Sequence, residues 1–264
     1  MKTKWTADRV TNLKNVSKII CLTAYDYTTA KLIDAAGIHV ALVGDSLANT
    51  MLGHTNTLSV TMEQMLHHTA AVARGVTNAL IVADMPFMSY QISTEQALGN
   101  AGRFLKEAGA DAVKIEGGAF RAQTVATLVA NGIPVLGHIG LTPQSVRQSG
   151  YKVQGRQASD VERLIIDAKA LEEAGVFAIV IECVPAAVGA TITQAVNIPT
   201  IGIGAGPDCD GQILVTHDLL GLSGNATAKF VKRYADLGDQ MMQAFREYKA
   251  EVESGKFPAE SHCY

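Results

Sequence analysis

ALIVADMPFMSYQISTEQALGNAGRFLKEAGADAVKIEGG, residues 79–118, reads in turn as strand, loop, helix and strand. Residues 80–84 and 112–116 are short apolar runs that carry ionisable side chains near their ends: Asp84 in the first, Lys114 and Glu116 in the second. Between them, residues 94–108 set apolar side chains at helical spacing and finish at Ala108-Gly109, where glycine suits a left-handed cap. Near-continuous apolar strands suit a sheet buried on both faces, and a helix between two of them is the crossover that parallel pairing requires.

The same unit recurs along the chain. Candidate strands occupy residues 19–25, 40–45, 80–84, 112–116, 134–138, 178–182, 200–203 and 213–216, eight in all. Residues 159–174 repeat the helical spacing, and helices stop at Ala36-Gly37 and Ala174-Gly175 as they do at Gly109. Eight such units in about 200 residues favour an α/β fold, a single (β/α)8 TIM barrel, over an open doubly wound sheet. One domain is expected over residues 1–264. It has an N-terminal helical segment within 1–18 (helix over 7–18) under the barrel, and a C-terminal helical extension over 225–264 (helix over 234–253, then the tail SGKFPAESHCY).

Composition narrows the function. Apolar residues make up 48% and charged residues 18%, enough apolar content for a large core. A net charge of −3 and a pI near 6.2 leave no basic excess for a phosphate backbone, so nucleic-acid binding is disfavoured. The polar start MKTKWTADRVTNLKNVSK lacks a signal-peptide core, and no apolar run reaches the roughly 18 residues that span a bilayer. Cys21, Cys183, Cys209 and Cys263 form no CxxC pair, which reads as reduced thiols and a cytoplasmic protein with no membrane partner.

In a barrel of this kind chemistry sits at the C-terminal ends of the strands. Listed strand by strand, those ends carry Tyr25 and Asp26, Asp45 and Ser46, Asp84, Lys114 and Glu116, His138, and Glu182, followed by the GIGAG turn at residues 202–206. Clustered carboxylates repel one another and lose solvation, so such a rim calls for a cation. Asp45 and Asp84 are the candidate metal ligands, with Glu116 in the same layer. Their oxygen-only chemistry suits Mg²⁺; the bland alternative is that each aspartate caps the next helix. Lys114 and Glu116, two apart on a strand, point the same way. Lys114 is read as the partner of a substrate carboxylate or oxyanion, with a structural ion pair or a Schiff base as alternatives. Glu182, in the apolar stretch AIVIECVP, is read as a general base whose pKa burial would raise, or else as a buried acid paired with Lys or His. His138 is read as a hydrogen-bond donor behind the site, and His67-His68 as surface and packing residues. GIGAG could cradle a phosphate or simply turn a tight corner.

Nine motifs taken together point to a family: GDS (44–46), HTAAVARG (68–75), ADMPF (83–87), KIEGG (114–118), GHIGLTPQS (137–145), GYKVQGR (150–156), ECVP (182–185), GIGAG (202–206) and DGQILV (210–215). In this order, over residues 23–257, the chain resembles the ketopantoate hydroxymethyltransferase family, and more distantly the phosphoenolpyruvate mutase and isocitrate lyase barrels. The resemblance implies transfer of a hydroxymethyl group from 5,10-methylenetetrahydrofolate to 3-methyl-2-oxobutanoate through a Mg²⁺-stabilised enolate, on the route to pantothenate and coenzyme A. It implies one Mg²⁺ per subunit held by Asp45 and Asp84, with Glu116 as a third metal-site acid acting through water. Asp45, Ser46, Asp84 and Lys114 would hold the 2-oxo acid, and Glu182 would accept the proton. A homodecamer is implied as well. Ala48-Asn49 departs from the Gly-Met usual in the family beside the metal site. The rival readings are a Mg²⁺-dependent carbon–carbon lyase acting on a 2-oxo acid without folate, and a non-catalytic scaffold.

Overall fold

A computed structural model describes residues 4–224 and 228–264. Its chain divides into two compact units, the first ending at Leu214 and the second running from Val215 to Tyr264.

The first unit is a closed barrel of eight parallel strands in sequence order, as the recurring strand–helix pattern predicts. They are β1 (Ile19–Thr23), β2 (Val40–Val43), β3 (Leu80–Asp84), β4 (Ala112–Glu116), β5 (Val135–Gly140), β6 (Ala178–Glu182), β7 (Thr200–Ile203) and β8 (Gly211–Leu214), with β8 closing onto β1. The helices that precede and link them are α1 (Ala7–Thr11), α2 (Tyr27–Ala35), α3 (Leu47–Thr50), α4 (Met62–Gly75), α5 (Thr94–Lys106), α6 (Ala122–Ala130), α7 (Val146–Ser149), α8 (Ala158–Glu173) and α9 (Ala186–Ala195). Local sequence starts several of them: the Thr61 side chain and Gln64 form a reciprocal cap on α4, and the Ser93 hydroxyl accepts from Gln96 N at 3.1 Å on α5.

Period-two alternation divides each strand between two cores. Leu80 and Val82, Leu136, and Ala178 and Val180 pack inside the barrel, while Ile81 and Ala83, Val113 and Ile115, and Ile179 and Ile181 face the helices. Both sets are apolar, so these strands show no alternation in sequence.

Some boundaries differ from expectation. The last strand is Gly211–Leu214 rather than 213–216; Ile19 pairs with Gly211, and Thr216 already belongs to α10 (Thr216–Leu219). A Cβ on Gly211 would meet Ile19 O at 2.5 Å and Ile19 Cβ at 2.8 Å, so close strand approach selects a residue with no apolar signal. Strands β1 and β2 stop two residues early, at Thr23 and Val43, which leaves Tyr25 and Asp45 on loops, while β5 runs on to Gly140. The N-terminal helix is Ala7–Thr11 alone rather than 7–18, since the chain turns through Asn15 at φ 60°.

The second unit runs from Val215 to Tyr264 and contains α10 and α11 (Leu237–Glu253). No residue of α11 is buried, and Met241, Phe245, Tyr248 and Val252 are exposed on it. Among the described residues no helix is long and apolar enough to cross a membrane.

Two buried polar anchors set the barrel's lower rim. Asp34 accepts from Ala79 N (2.7 Å), Asn78 N (2.8 Å) and Asn78 Nδ2 (2.9 Å), tying α2 to the entry of β3. Burial opposes the charged form, yet the Ala79 and Asn78 donors outweigh it and hold the Asp34 carboxyl below the usual carboxylate range. Asp34→Ala is expected to lower stability by about 2–4 kcal/mol, measured by urea unfolding at neutral pH. Because the folded pKa is depressed, this stabilisation is present above the unfolded value of about 4 and disappears as pH falls through the folded value. The variant should therefore lose stability less steeply than wild type on acidification. The second anchor is Lys14, which reaches Asp210 Oδ2 at 2.8 Å and Thr193 O at 2.8 Å, while the same carboxylate accepts from Thr200 N at 2.8 Å. Lys14→Met would strand a buried carboxylate, and thermal unfolding should report a loss of about 3 kcal/mol or more.

Candidate active site

The inward parity that packs Leu80, Val82, Ala112, Leu136, Ala178 and Val180 inside the barrel continues at the top as Asp84, Lys114, Glu116, His138 and Glu182. Pairing sets them side by side: Asp84 opposite Lys114 and Glu116 opposite His138. Asp45 and Ser46 join from the loop after β2, where Gly44 leaves them room; a Cβ there would meet Ser46 Oγ at 2.7 Å. Asp45, Asp84, Lys114, Glu116 and His138 are each no more than 5% exposed.

Hydrogen bonds join these groups into one cluster. Lys114 Nζ lies 3.0 Å from Asp84 Oδ1 and 3.2 Å from His138 Nδ1. Asp45 N donates to Asp84 Oδ2 at 2.9 Å. His138 Nδ1 is 3.5 Å from Glu116 Oε1, and its Nε2 is 3.2 Å from Glu182 Oε2. Each ring nitrogen thus faces a carboxylate, Nδ1 toward Glu116 and Nε2 toward Glu182. Glu182 closes this chain, its side chain 16% exposed where the other acids are sealed.

Charge is unbalanced here. Burial, then Asp84 and then Glu116 push the Asp45 carboxyl up to about 8. Asp84 is also raised, by burial, against the pull of Lys114. Glu116 is lowered, because His138, Lys114 and Gln144 N outweigh its burial. Burial disfavours the Lys114 ammonium, but Asp84, Glu116 and Asp45 overcome it and raise its pKa. His138 behaves alike: burial and Lys114 lower it, while Glu116 and Glu182 lift it to about 9. Asp84 Oδ1 and Glu116 Oε1 are buried without a hydrogen bond of good geometry. An oxygen-rich pocket of this sort, with two buried carboxyls held above their usual range and two oxygens lacking a well-aligned donor, fits a hard divalent cation. Asp45 and Asp84 could ligate it. Among the described residues no three His, Cys, Asp or Glu side chains are arranged to hold a metal by themselves, so the other positions would fall to water and substrate oxygens.

The remaining strand-end residues divide by role. Tyr25 OH meets Ser46 Oγ at 2.8 Å, and burial pushes its pKa up to about 12. Asp26 caps α2, accepting from Thr29 N at 2.9 Å, and stands apart from the acid cluster. His68, assigned to packing, holds the Tyr25 carbonyl through Nδ1 at 2.7 Å. Gly140, at φ 93°, lies against the Glu182 carbonyl, where any Cβ would collide. Gln144 and Tyr90 were not legible as site residues. Both are buried, and Gln144 Nε2 donates to Asp45 Oδ2 at 3.0 Å. A cavity of about 880 Å³ at the barrel's other end, lined by Lys14, Lys18 and Asp210 among others, contains none of the clustered acids.

Fold and site together define a (β/α)8 barrel with a buried acid–lysine–histidine cluster at the C-terminal rim of its strands, the position of catalytic centres in this architecture. A family model described as ketopantoate hydroxymethyltransferase matches residues 4–260, and the chain belongs to that family. A 3-methyl-2-oxobutanoate hydroxymethyltransferase of Clostridium novyi is 57% identical over 95% of this chain and 91% of its own length. The protein of the same name from Carboxydothermus hydrogenoformans is 56% identical over 97% and 96%. Among solved structures, 2,3-dimethylmalate lyase, described as a PEP mutase/isocitrate lyase superfamily member, superposes with a TM-score of 0.62 at 16% identity, covering 96% of this chain and 89% of its own. Phosphonopyruvate hydrolase in complex with oxalate and Mg²⁺ gives 0.62 at 14% identity, covering 97% and 93%. At such identities these two speak to the fold alone.

Proposed function

We propose that this chain transfers a hydroxymethyl group from 5,10-methylenetetrahydrofolate to 3-methyl-2-oxobutanoate, with water supplying the hydroxyl oxygen, to give 2-dehydropantoate. One observation carries the reading: three buried acids share one layer with a single lysine, and Glu182 stands on the same rim, linked to them through His138. Membership of the family and the names of its relatives supply the substrate.

In this reading Asp45 and Asp84 hold Mg²⁺, with Glu116 acting through water. When bound, the ion supplies Lewis-acid polarisation of the carboxylate and keto oxygens of the 2-oxo acid. Lys114 offsets negative charge on those oxygens, and Ser46, tethered by Tyr25, orients the substrate. Glu182 removes the C3 proton, held in place by His138 Nε2 at 3.2 Å. The C3 electron pair then forms the new carbon–carbon bond to the folate-borne methylene carbon. Both bonds from that carbon to folate nitrogens break, a water oxygen takes the remaining position, and the C3 proton and two water protons end on the hydroxyl and the two folate nitrogens. We also read the 264 residues as one functional domain, cytoplasmic and homo-oligomeric, with a decamer expected. The exposed apolar side chains of α11 support self-association, which light scattering would measure.

The test is exchange of the C3 hydrogen of 3-methyl-2-oxobutanoate with deuterated water, followed by NMR with and without magnesium and without folate. Magnesium-dependent exchange, with net turnover only when folate is added, is the expected result. Absence of exchange at saturating substrate and magnesium would reject the reading, and carbon–carbon cleavage without folate would replace it with the lyase.

A further inference from the structure

We infer that Gln144, locked by Tyr90, is the positioning residue that sets the spacing and free lone pairs of the two outer acids of the cation site, Asp45 and Glu116. The inference rests on the cation site proposed above. Gln144 lies in the loop after β5, near the start of a short turn (Pro143–Ser145), and touches both acids at once. Its backbone N–H donates to Glu116 Oε2 at 3.0 Å, and its side-chain Nε2 donates to Asp45 Oδ2 at 3.0 Å and to Met85 O at 2.9 Å.

The amide can sit in only one orientation. Tyr90 OH donates to Gln144 Oε1 at 2.7 Å, Gln91 Nε2 donates to the same oxygen at 3.1 Å, and Glu116 N donates to the Tyr90 hydroxyl at 3.3 Å. Flipping the amide would turn Oε1 toward two acceptors, Asp45 Oδ2 and Met85 O, and would break the bond from Tyr90 OH, with every group buried or part-buried. Oxygen and nitrogen are therefore assigned by chemistry, and the Gln144 side-chain amide uses all its hydrogen-bonding capacity.

Two consequences follow for the acids. One oxygen of each is committed to Gln144, so the oxygens left to face a ligand are Asp45 Oδ1 and Glu116 Oε1, the latter shared with His138 Nδ1 at 3.5 Å. The donor is also neutral. A lysine or arginine here would satisfy the same oxygens but cancel charge that a divalent ion needs, whereas an amide fixes two repelling carboxylates and leaves their charge intact. Gln144 touches no reacting atom, and it acts through the acids it holds.

The experiment compares the full-length chain with Gln144→Ala, Gln144→Lys and Tyr90→Phe. Thermal unfolding and C3 deuterium exchange are each followed across a magnesium titration. Gln144→Ala is expected to raise the magnesium midpoint about 10–100-fold, as loss of an outer partner of a metal ligand does. The substrate KM at saturating magnesium should stay within about threefold of wild type. Tyr90→Phe, which keeps the ring and removes only the lock, should raise the midpoint about 3–10-fold. Gln144→Lys should suppress the magnesium-induced rise in Tm. A Gln144→Ala or Tyr90→Phe protein that folds and keeps the wild-type magnesium midpoint would overturn the inference while leaving the cation site standing. A wild-type chain whose Tm ignores magnesium would overturn the cation site, and this inference with it.

Discussion

Glu182→Gln is expected to stop exchange of the C3 hydrogen of 3-methyl-2-oxobutanoate, slowing it by about 10²–10⁴-fold, the range typical of removing a general base. Substrate and magnesium affinities should hold within a few-fold. The substitution is nearly isosteric, and the glutamine carbonyl can still face His138 Nε2, now 3.2 Å from Glu182 Oε2. Glu182 is also the least buried acid of the cluster, at 16% side-chain exposure, so a neutral amide there disturbs little packing. The readout is the isotope content of unreacted substrate, which separates proton removal from the later carbon–carbon bond. Exchange at the wild-type rate in a folded Glu182→Gln protein would remove this residue as the base and direct attention to His138, the other titratable group reaching toward that position.

Asp45→Asn is expected to move stability and activity in opposite directions. Asp45, Asp84 and Glu116 crowd into one buried layer against Lys114, and the Asp45 carboxyl is pushed up to about 8, first by burial and then by Asp84 and Glu116. Replacing it with a neutral isostere removes that repulsion, and the asparagine oxygen can still accept from Gln144 Nε2. With magnesium chelated, stability should rise by about 1–3 kcal/mol, or several degrees in Tm. With magnesium present, the variant should gain little further Tm, and turnover should fall at least about 10²-fold, since a direct ligand matters more than an outer partner. Calorimetry with chelator and with magnesium makes the comparison. A variant less stable than wild type in chelator would mean that the acids are mutually satisfied without a cation, against the charge accounting of the site.

Which parts of this were legible in the sequence depends on how local the signal is. Asp84 at the end of LIVAD and Glu116 at the end of AVKIE declare themselves, because an ionisable group closing an otherwise apolar strand has few local explanations. Asp26 carries a similar signal and is a helix cap, so position at a strand end did not separate cap from cluster. Gln144 sits inside the motif GHIGLTPQS but carried no signal of a site role of its own: a polar residue in a loop after a Pro is ordinary, and only folding brings it within 3.0 Å of an aspartate 99 residues away. Strand β8 was misplaced by two residues because Gly211 is selected for the close approach of Ile19, which periodicity cannot register.

The sequence by itself determined the class of fold, the eight strands in order and the inward acids, because side-chain alternation and strand–helix succession are short-range properties of the chain. Its motifs likewise marked the family. Tertiary structure decided which of those acids share one buried layer, that burial and mutual repulsion raise Asp45 and Asp84 there, that His138 joins Glu116 to Glu182, and that Gln144 and Tyr90 hold Asp45 and Glu116. Those facts depend on barrel closure. It brings loops from distant parts of the chain within hydrogen-bonding reach and excludes water, and only in that low-dielectric setting do charge balance and amide orientation acquire their energetic weight.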